Sequence, residues 1–368
     1  MGAGHDLPSA VDDESSAEFP ALHSGSSAQS PTDTLSEVLR EVRLAGSVFF
    51  LVDALTPWIA AAPSARMLLP AIFPRAQHLI SYHVVRHGQC WCQMPQHEAM
   101  LLSAGDVLVV PHGDPYSLSS EPDMRSEWSL ETTLRWFRDM AQGRGPFVVS
   151  EGGAGPQRLE IVCGFLGCDV FPFNPVLASL PRLLRVRLSG AGSGERLDRL
   201  VEYAVAEARE RSAGSRCVLL RISELMCVEL VRQHLLSLPS LDTGWLAALR
   251  DPVVGRALAL LHQRPNERWT LEALAHESIT SRSVLAERFT HFLHEPPMQY
   301  LARWRMHLAA QMLRDSQSRI ARVAFEVGYQ SEATFSRAFK KLLGVSPAIW
   351  RTQADASIAS HIQSSSSR

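Results

Sequence analysis

The chain has 368 residues, 46% of them hydrophobic and 20% charged, with a net charge of −2. That length predicts two or three domains, and the composition excludes a collagen and a wholly disordered chain. No stretch approaches the roughly 18 uncharged apolar residues of a membrane span, so no membrane partner is expected. Residues 1–33 are rich in Ser, Ala, Asp, Glu and Pro, carry no Lys or Arg and show no period, which predicts a disordered tail. The first basic residue is Arg40, leaving no n-region for a signal peptide, and six cysteines are too sparse for a disulfide scaffold. The expected location is the cytoplasm.

Residues 34–190 carry short β-like signals. Val48–Val52, Ser81–Val85, Gln89–Met94, Val107–Val110 and Leu159–Cys163 are the candidate strands. Turn formers part several of them: His87-Gly88, Gly105-Asp106 and Pro111–Pro115. Many short strands with close turns predict an antiparallel barrel or sandwich. The glycine-rich stretch Gly143–Pro156 reads as a surface loop. Over residues 191–250 the period becomes helical. Leu197, Leu200, Val201, Ala204, Val205 and Ala208 form one stripe, and Val218, Ile222, Leu225, Met226 and Leu230 another, broken at Gly214-Ser215. This connector is either a hairpin beneath the barrel or a subunit interface, and the sequence leaves both open.

Residues 251–353 contain an internal repeat. Leu271, Leu274, Ala275 and Ser278 run i, i+3, i+4, i+7, as do Ile320, Val323, Ala324 and Val327. Each set leads to a serine, Ser281 or Ser331, placed to cap a second helix. Leu285 and Phe289, or Phe335 and Phe339, then fall four apart on one face. Helix, tight turn, helix with this pattern is a helix-turn-helix, which sets one helix into a DNA major groove while its partner braces it. Leu301, Trp304, Leu308 and Met312 predict a long helix joining the copies, and Asp251-Pro252 an N-cap and N1 pair opening the segment. Charge agrees: the segment holds 14 Arg and Lys against 9 Asp and Glu, a net of +5, while the remainder holds 22 against 29, a net of −7. Both lysines of the chain, Lys340 and Lys341, lie here. Residues 354–368 read as a second disordered tail.

Trp269-Thr270, Pro296–Leu301, Arg303–Met306, Val327–Tyr329, Phe335–Lys340 and Gly344–Pro347 follow Asp251-Pro252 in order, and this series resembles the AraC/XylS family of bacterial transcription regulators. The resemblance implies a DNA-contacting set of Arg282, Ser283, Ala286 and Glu287 on the first reading helix. On the second it implies Glu332, Ala333, Ser336, Arg337, Lys340 and Lys341, with Arg337 suited to guanine and Lys340 to phosphate. Two departures stand out: Ser278-Ile279 replaces an apolar residue and glycine at the first turn, and His294 replaces the glycine that usually ends the first reader. Both predict a first copy that is distorted or that contributes less to recognition.

Gly46–Phe50, Tyr82–Val85, Gly88–Trp91, Gly105-Asp106, Pro111–Asp114 and Val162–Gly164 resemble the cupin-like sensor domain that often precedes this module. The fold class expected is therefore α+β: a cupin-like β-barrel, a helical connector and an all-α domain with two helix-turn-helix motifs. The resemblance implies double-stranded DNA, a small-molecule effector and RNA polymerase as partners, a homodimer, no catalysis and no cofactor. His83, Trp91, His112 and Tyr116 are the candidate effector residues. A metal set of His83, His112, Cys163 and Cys168, and with it a cupin-type metalloenzyme bearing a helical appendage, is the alternative. It lacks the His-x-His pair of the enzyme cupins, and Tyr116 stands where their later histidine is expected.

Overall fold

The computed structural model describes residues 33–352, apart from 41–43, 75, 169–172, 189–192, 211, 240–241 and 316. Both expected tails, Asp33 excepted, lie outside the described residues. In chain order come α1 (Thr34–Arg40), β1 (Leu44–Leu55), β2 (Ile59–Ala62), α2 (Ala65–Ile72), β3 (His78–His87), β4 (Gln89–Gln93), β5 (Met100–Ser103), β6 (Asp106–Val110) and β7 (Tyr116–Ser119). Then follow α3 (Leu130–Ala141), β8 (Val148–Gly152), β9 (Arg158–Cys168), α4 (Pro175–Ser179) and β10 (Leu184–Arg187). A six-stranded sheet, β10-β6-β3-β9-β1-β8, faces a four-stranded one, β2-β7-β4-β5. All pairs are antiparallel except β1 with β8.

Alternation along each strand sorts its side chains between two cores. Phe50 and Val52 of β1, Leu108 and Val110 of β6, and Ile161 and Phe165 of β9 face the space between the sheets. Their neighbours Leu51, Val107, Val109, Val162 and Leu166 face the helices behind the large sheet. A sheet buried on both faces needs continuous apolar runs, which is why β6 reads Val-Leu-Val-Val and is buried throughout. The loop expected over Gly143–Pro156 is corrected: its middle is β8, drawn into the sheet by parallel pairing of Leu51 to Leu55 with Val148 to Gly152.

The helical part continues with α5 (Ser193–Glu210), α6 (Ser215–Ser237), α7 (Trp245–Ala248), α8 (Val254–Gln263), α9 (Leu271–Glu277), α10 (Arg282–Leu293), α11 (Pro297–Asp315), α12 (Ile320–Glu326) and α13 (Glu332–Leu343). The α5–α6 hairpin lies beneath the large sheet: Ile222, Met226 and Leu230 are buried in its core, and the Tyr82 hydroxyl meets Ser223 Oγ at 3.3 Å. Leu225, expected on the buried stripe, instead points to solvent. The helix expected at Asp251-Pro252 starts at Val254, because Asp251 closes a preceding turn by accepting from the amides of Val253 and Val254 at 3.0 and 2.8 Å.

One apolar core runs from the large sheet through α5–α8 into the first helix-turn-helix, reaching Phe289, Tyr300 and Trp304. The second copy has its own core of Met306, Ala309, Leu313, Val323, Phe335 and Phe339. The long connector α11 serves both: Tyr300, Leu301 and Trp304 are buried in the first, and Met306, Ala309, Ala310 and Leu313 in the second. Its buried stripe shifts face midway, so Leu308 and Met312 end only half-buried.

Candidate nucleic-acid interface and barrel cavity

The two copies match in length, α9 and α12 having 7 residues and α10 and α13 having 12. Each reading helix begins with the expected cap: Ser281 Oγ accepts from the Val284 amide at 3.3 Å, and Ser331 Oγ from the Thr334 amide at 3.2 Å. Leu285 and Phe289, and Phe335 and Phe339, are wholly buried. Polar residues are left on the outer faces. Arg282, Ser283 and Glu287 are exposed and Ala286 half-buried; Glu332, Ala333, Arg337, Lys340 and Lys341 are exposed and Ser336 half-buried.

The two faces differ in free charge. Arg282 pairs with Glu272 on α9, so the first reader's leading cation is engaged. Among the described residues, Arg337, Lys340 and Lys341 form no ion pair; Arg337 Nε donates only to the Ala333 carbonyl, at 3.4 Å. Arg288, on the inner flank of α10, pairs instead with Asp251. Burial opposes ionisation of Asp251, but the Arg288 guanidinium and two amide donors hold its carboxyl below the usual range. This ion pair ties α10 to the start of α8.

The turn departures are accommodated locally. Ile279 adopts φ 55°, the left-handed region where its counterpart Gly328 has φ 88°. Ile279 is 76% exposed and has room for its side chain. Gly328 does not: a Cβ there would lie 2.8 Å from the Asn266 carbonyl. His294 likewise adopts φ 57° where the second copy has Gly344 at φ 79°. The distortion expected of the first copy is thus confined to two strained residues.

Between the sheets lies a cavity with about 670 Å³ of space free of protein atoms, part of it open to solvent. Phe50, Trp136, Phe137 and Phe165 form its walls, with Trp128 at the mouth. Their rings meet edge to face, Phe50 with Trp136 at 5.2 Å and Phe137 with Phe165 at 5.1 Å. A polar chain forms part of the lining: His83 Nε2 meets the Tyr116 hydroxyl, and His83 Nδ1 meets Cys163 Sγ at 3.1 Å. Burial drives His83 down to about 3 and raises both Tyr116 and Cys163, so the chain is uncharged at neutral pH.

Of the four candidate effector residues, the structure brings His83 and Tyr116 together in this cavity. Trp91 lies on the strand face opposite Cys90 and Cys92, which point into the core, and His112 is bonded to the Leu180 carbonyl at 2.9 Å. Neither lines the cavity. The alternative metal set is corrected. Cys163 and Cys168, an odd number of residues apart on β9, fall on opposite faces, one in each core. Among the described residues no group of three or more His, Cys, Asp or Glu side chains could hold a metal ion. Sequence reasoning missed α3, which supplies Trp136 and Phe137, and Glu151 of β8. Ser129 as a cap before Leu130, with Leu134 and Phe137 three apart, was the available signal for α3.

A barrel with an aromatic-walled cavity joined to paired reading helices defines a sensor coupled to a DNA-binding module. The Cupin family matches residues 33–236, more than half the chain, and a helix-turn-helix domain family matches residues 274–353. The HTH-type transcriptional regulator AlkR of Acinetobacter baylyi is 28% identical over 322 residues, covering 87% of this chain and 99% of that protein. A putative AraC-like transcription regulator of Streptomyces lividans is 31% identical over 277 residues, covering 75% and 88%. Among solved structures, the AdpA DNA-binding domain in complex with a target DNA is 28% identical and covers 29% of this chain and 95% of that one, with a TM-score of 0.28. The chain belongs to the AraC-like transcription regulators and carries a cupin domain ahead of its helix-turn-helix module. No helix among the described residues is long and apolar enough to cross a membrane.

Proposed function

We propose that α10 and α13 enter successive major grooves of a specific DNA site, and that a small molecule in the barrel cavity controls this binding. The observation that carries the reading is the pair of serine-capped helices, anchored by buried apolar residues and presenting exposed polar faces from one shared connector. Arg337, nearer the start of α13, takes a base edge; Lys340 and Lys341, a turn later, take phosphate. Coupling to the barrel runs through α11. The Arg303 guanidinium lies 3.9 Å over the Phe173 ring, just ahead of α4, and the Tyr300 hydroxyl accepts from Trp245 Nε1 of α7 at 2.7 Å. We also place a homodimer and contact with RNA polymerase among its properties.

Full-length protein titrated with fragments upstream of its neighbouring genes tests the reading, with footprints over two adjacent major-groove turns expected. Arg337→Ala should cost about 1–3 kcal/mol on the specific site and little on scrambled DNA. Lys340→Ala should weaken both and lower the log-log salt slope by about one. Equal losses for Arg337→Ala on both DNAs would move it to the phosphate contacts.

A further inference from the structure

The cavity carries a feature that its aromatic walls do not explain. Val149 and Glu151 are two apart on β8 and therefore share a face, and both line the cavity. Glu151 is half-buried and makes no hydrogen bond or ion pair among the described residues. Among the described residues no Lys or Arg lines the cavity; the nearby Arg125 lines the open groove outside and is itself exposed. A carboxylate drawn out of water without a partner is costly, and burial raises its pKa. A cationic ligand would relieve that cost.

We propose that the barrel cavity binds a hydrophobic amine or quaternary ammonium compound, its cation held between Glu151 and the Trp128 and Trp136 rings and its apolar body packed against Phe50, Phe137 and Phe165. This rests on the reading of the cavity as the effector site and names the chemical class it takes. Indole faces attract cations, and the two tryptophan rings stand 6.5 Å apart at 65°. The lining disfavours the other classes. An anion would meet Glu151 with no counter-charge. A sugar would need many hydrogen-bonding partners, whereas the buried polar groups, His83, Tyr116 and Cys163, already satisfy one another.

Three probes of one shape and different charge decide it: 4-phenylbutylamine, 4-phenylbutan-1-ol and 4-phenylbutyrate, titrated calorimetrically into full-length protein at pH 7.5. The expected order is amine, alcohol, carboxylate, with the amine at least about tenfold tighter than the alcohol. Glu151→Gln should bring the amine down to the alcohol's affinity and leave the alcohol unchanged. Trp136→Ala should weaken both, the amine more than the alcohol, because the amine loses a cation–π contact as well as apolar packing. The proposal is overturned if the alcohol matches the amine, if the carboxylate binds best, if the preference survives Glu151→Gln, or if no probe binds at millimolar concentration. Specific DNA binding by the same preparation is measured separately. Its loss with amine binding intact would sink the regulatory reading alone, and the reverse would sink only the ligand class.

Discussion

Ser278 and Ile279 show how one residue can be tolerated in a repeated motif at a measurable cost. Ser278 occupies the buried slot held by Val327 in the second copy, is 3% exposed, and its hydroxyl has no hydrogen-bond partner among the described residues. A buried hydroxyl without a partner costs roughly 1–3 kcal/mol, so Ser278→Val should stabilise the chain by about 1–2 kcal/mol. A lower urea midpoint for the variant would show that the slot is too tight for a second methyl group. Ile279 carries a different cost, because a β-branched residue at φ 55° crowds its own carbonyl. With its side chain in solvent, Ile279→Gly should gain about 0.5–1 kcal/mol, strain relief outweighing glycine's entropy. A loss of stability on thermal melting would mean that the isoleucine side chain contributes packing the structure does not show. The two residues are adjacent, so the double variant should be measured as well as each alone.

At the scale of elements, α10 is held from behind as well as capped in front. Arg288 reaches Asp251, and Asp251 also caps the turn that opens α8, so one carboxylate ties the reader to the start of α8. Arg288→Ala should weaken specific DNA binding several-fold while leaving the salt slope unchanged, because no phosphate contact is removed. Fluorescence anisotropy at several salt concentrations checks this; a slope lower by about one would make Arg288 a phosphate ligand instead. These helices were legible in the sequence because each buries one face and exposes the other, and the serine caps mark where they start. The strands were harder to read. β6 was recognised from its continuous apolar run, as a sheet buried on both sides requires, but Ser150 and Glu151 made β8 resemble a loop. Parity along a strand was nonetheless available: it separates Cys163 from Cys168 and turns Trp91 away from Cys90 and Cys92. The cavity was the least legible feature, since its walls come from strands and a helix far apart in the chain, and only His83, Tyr116 and Cys163 among its lining had chemistry that drew attention to them.

At the scale of the whole molecule, acid should act on the first helix-turn-helix and the barrel together. Burial lowers His83 and His262 to about 3 and His307 to about 4. His262 and His307 lie against Trp304, at ring distances of 4.3 and 5.1 Å, in the core shared by α8 and α11, and His83 lies in the barrel. The folded chain keeps all three rings neutral, whereas the unfolded chain protonates them below the ordinary value of about 6.5. The unfolded state therefore binds more protons, and stability is full above pH 6.5 and falls as pH drops towards 4. Between pH 7 and 5.5 each ring should contribute a loss of about 1 kcal/mol. Carboxylates held low by ion pairs, such as Asp251 and Asp114, add to the loss only nearer pH 4, while the raised Glu151 and Glu295 oppose it, so the falling midpoint above pH 5 comes from the histidines. Urea unfolding at pH 7.5, 6.5 and 5.5 should show the midpoint falling. His307→Gln should flatten that fall only in part, since burial also lowers His83, His262, His78 and His234. A midpoint constant across this range would mean that acid reaches these rings without unfolding the cores around them.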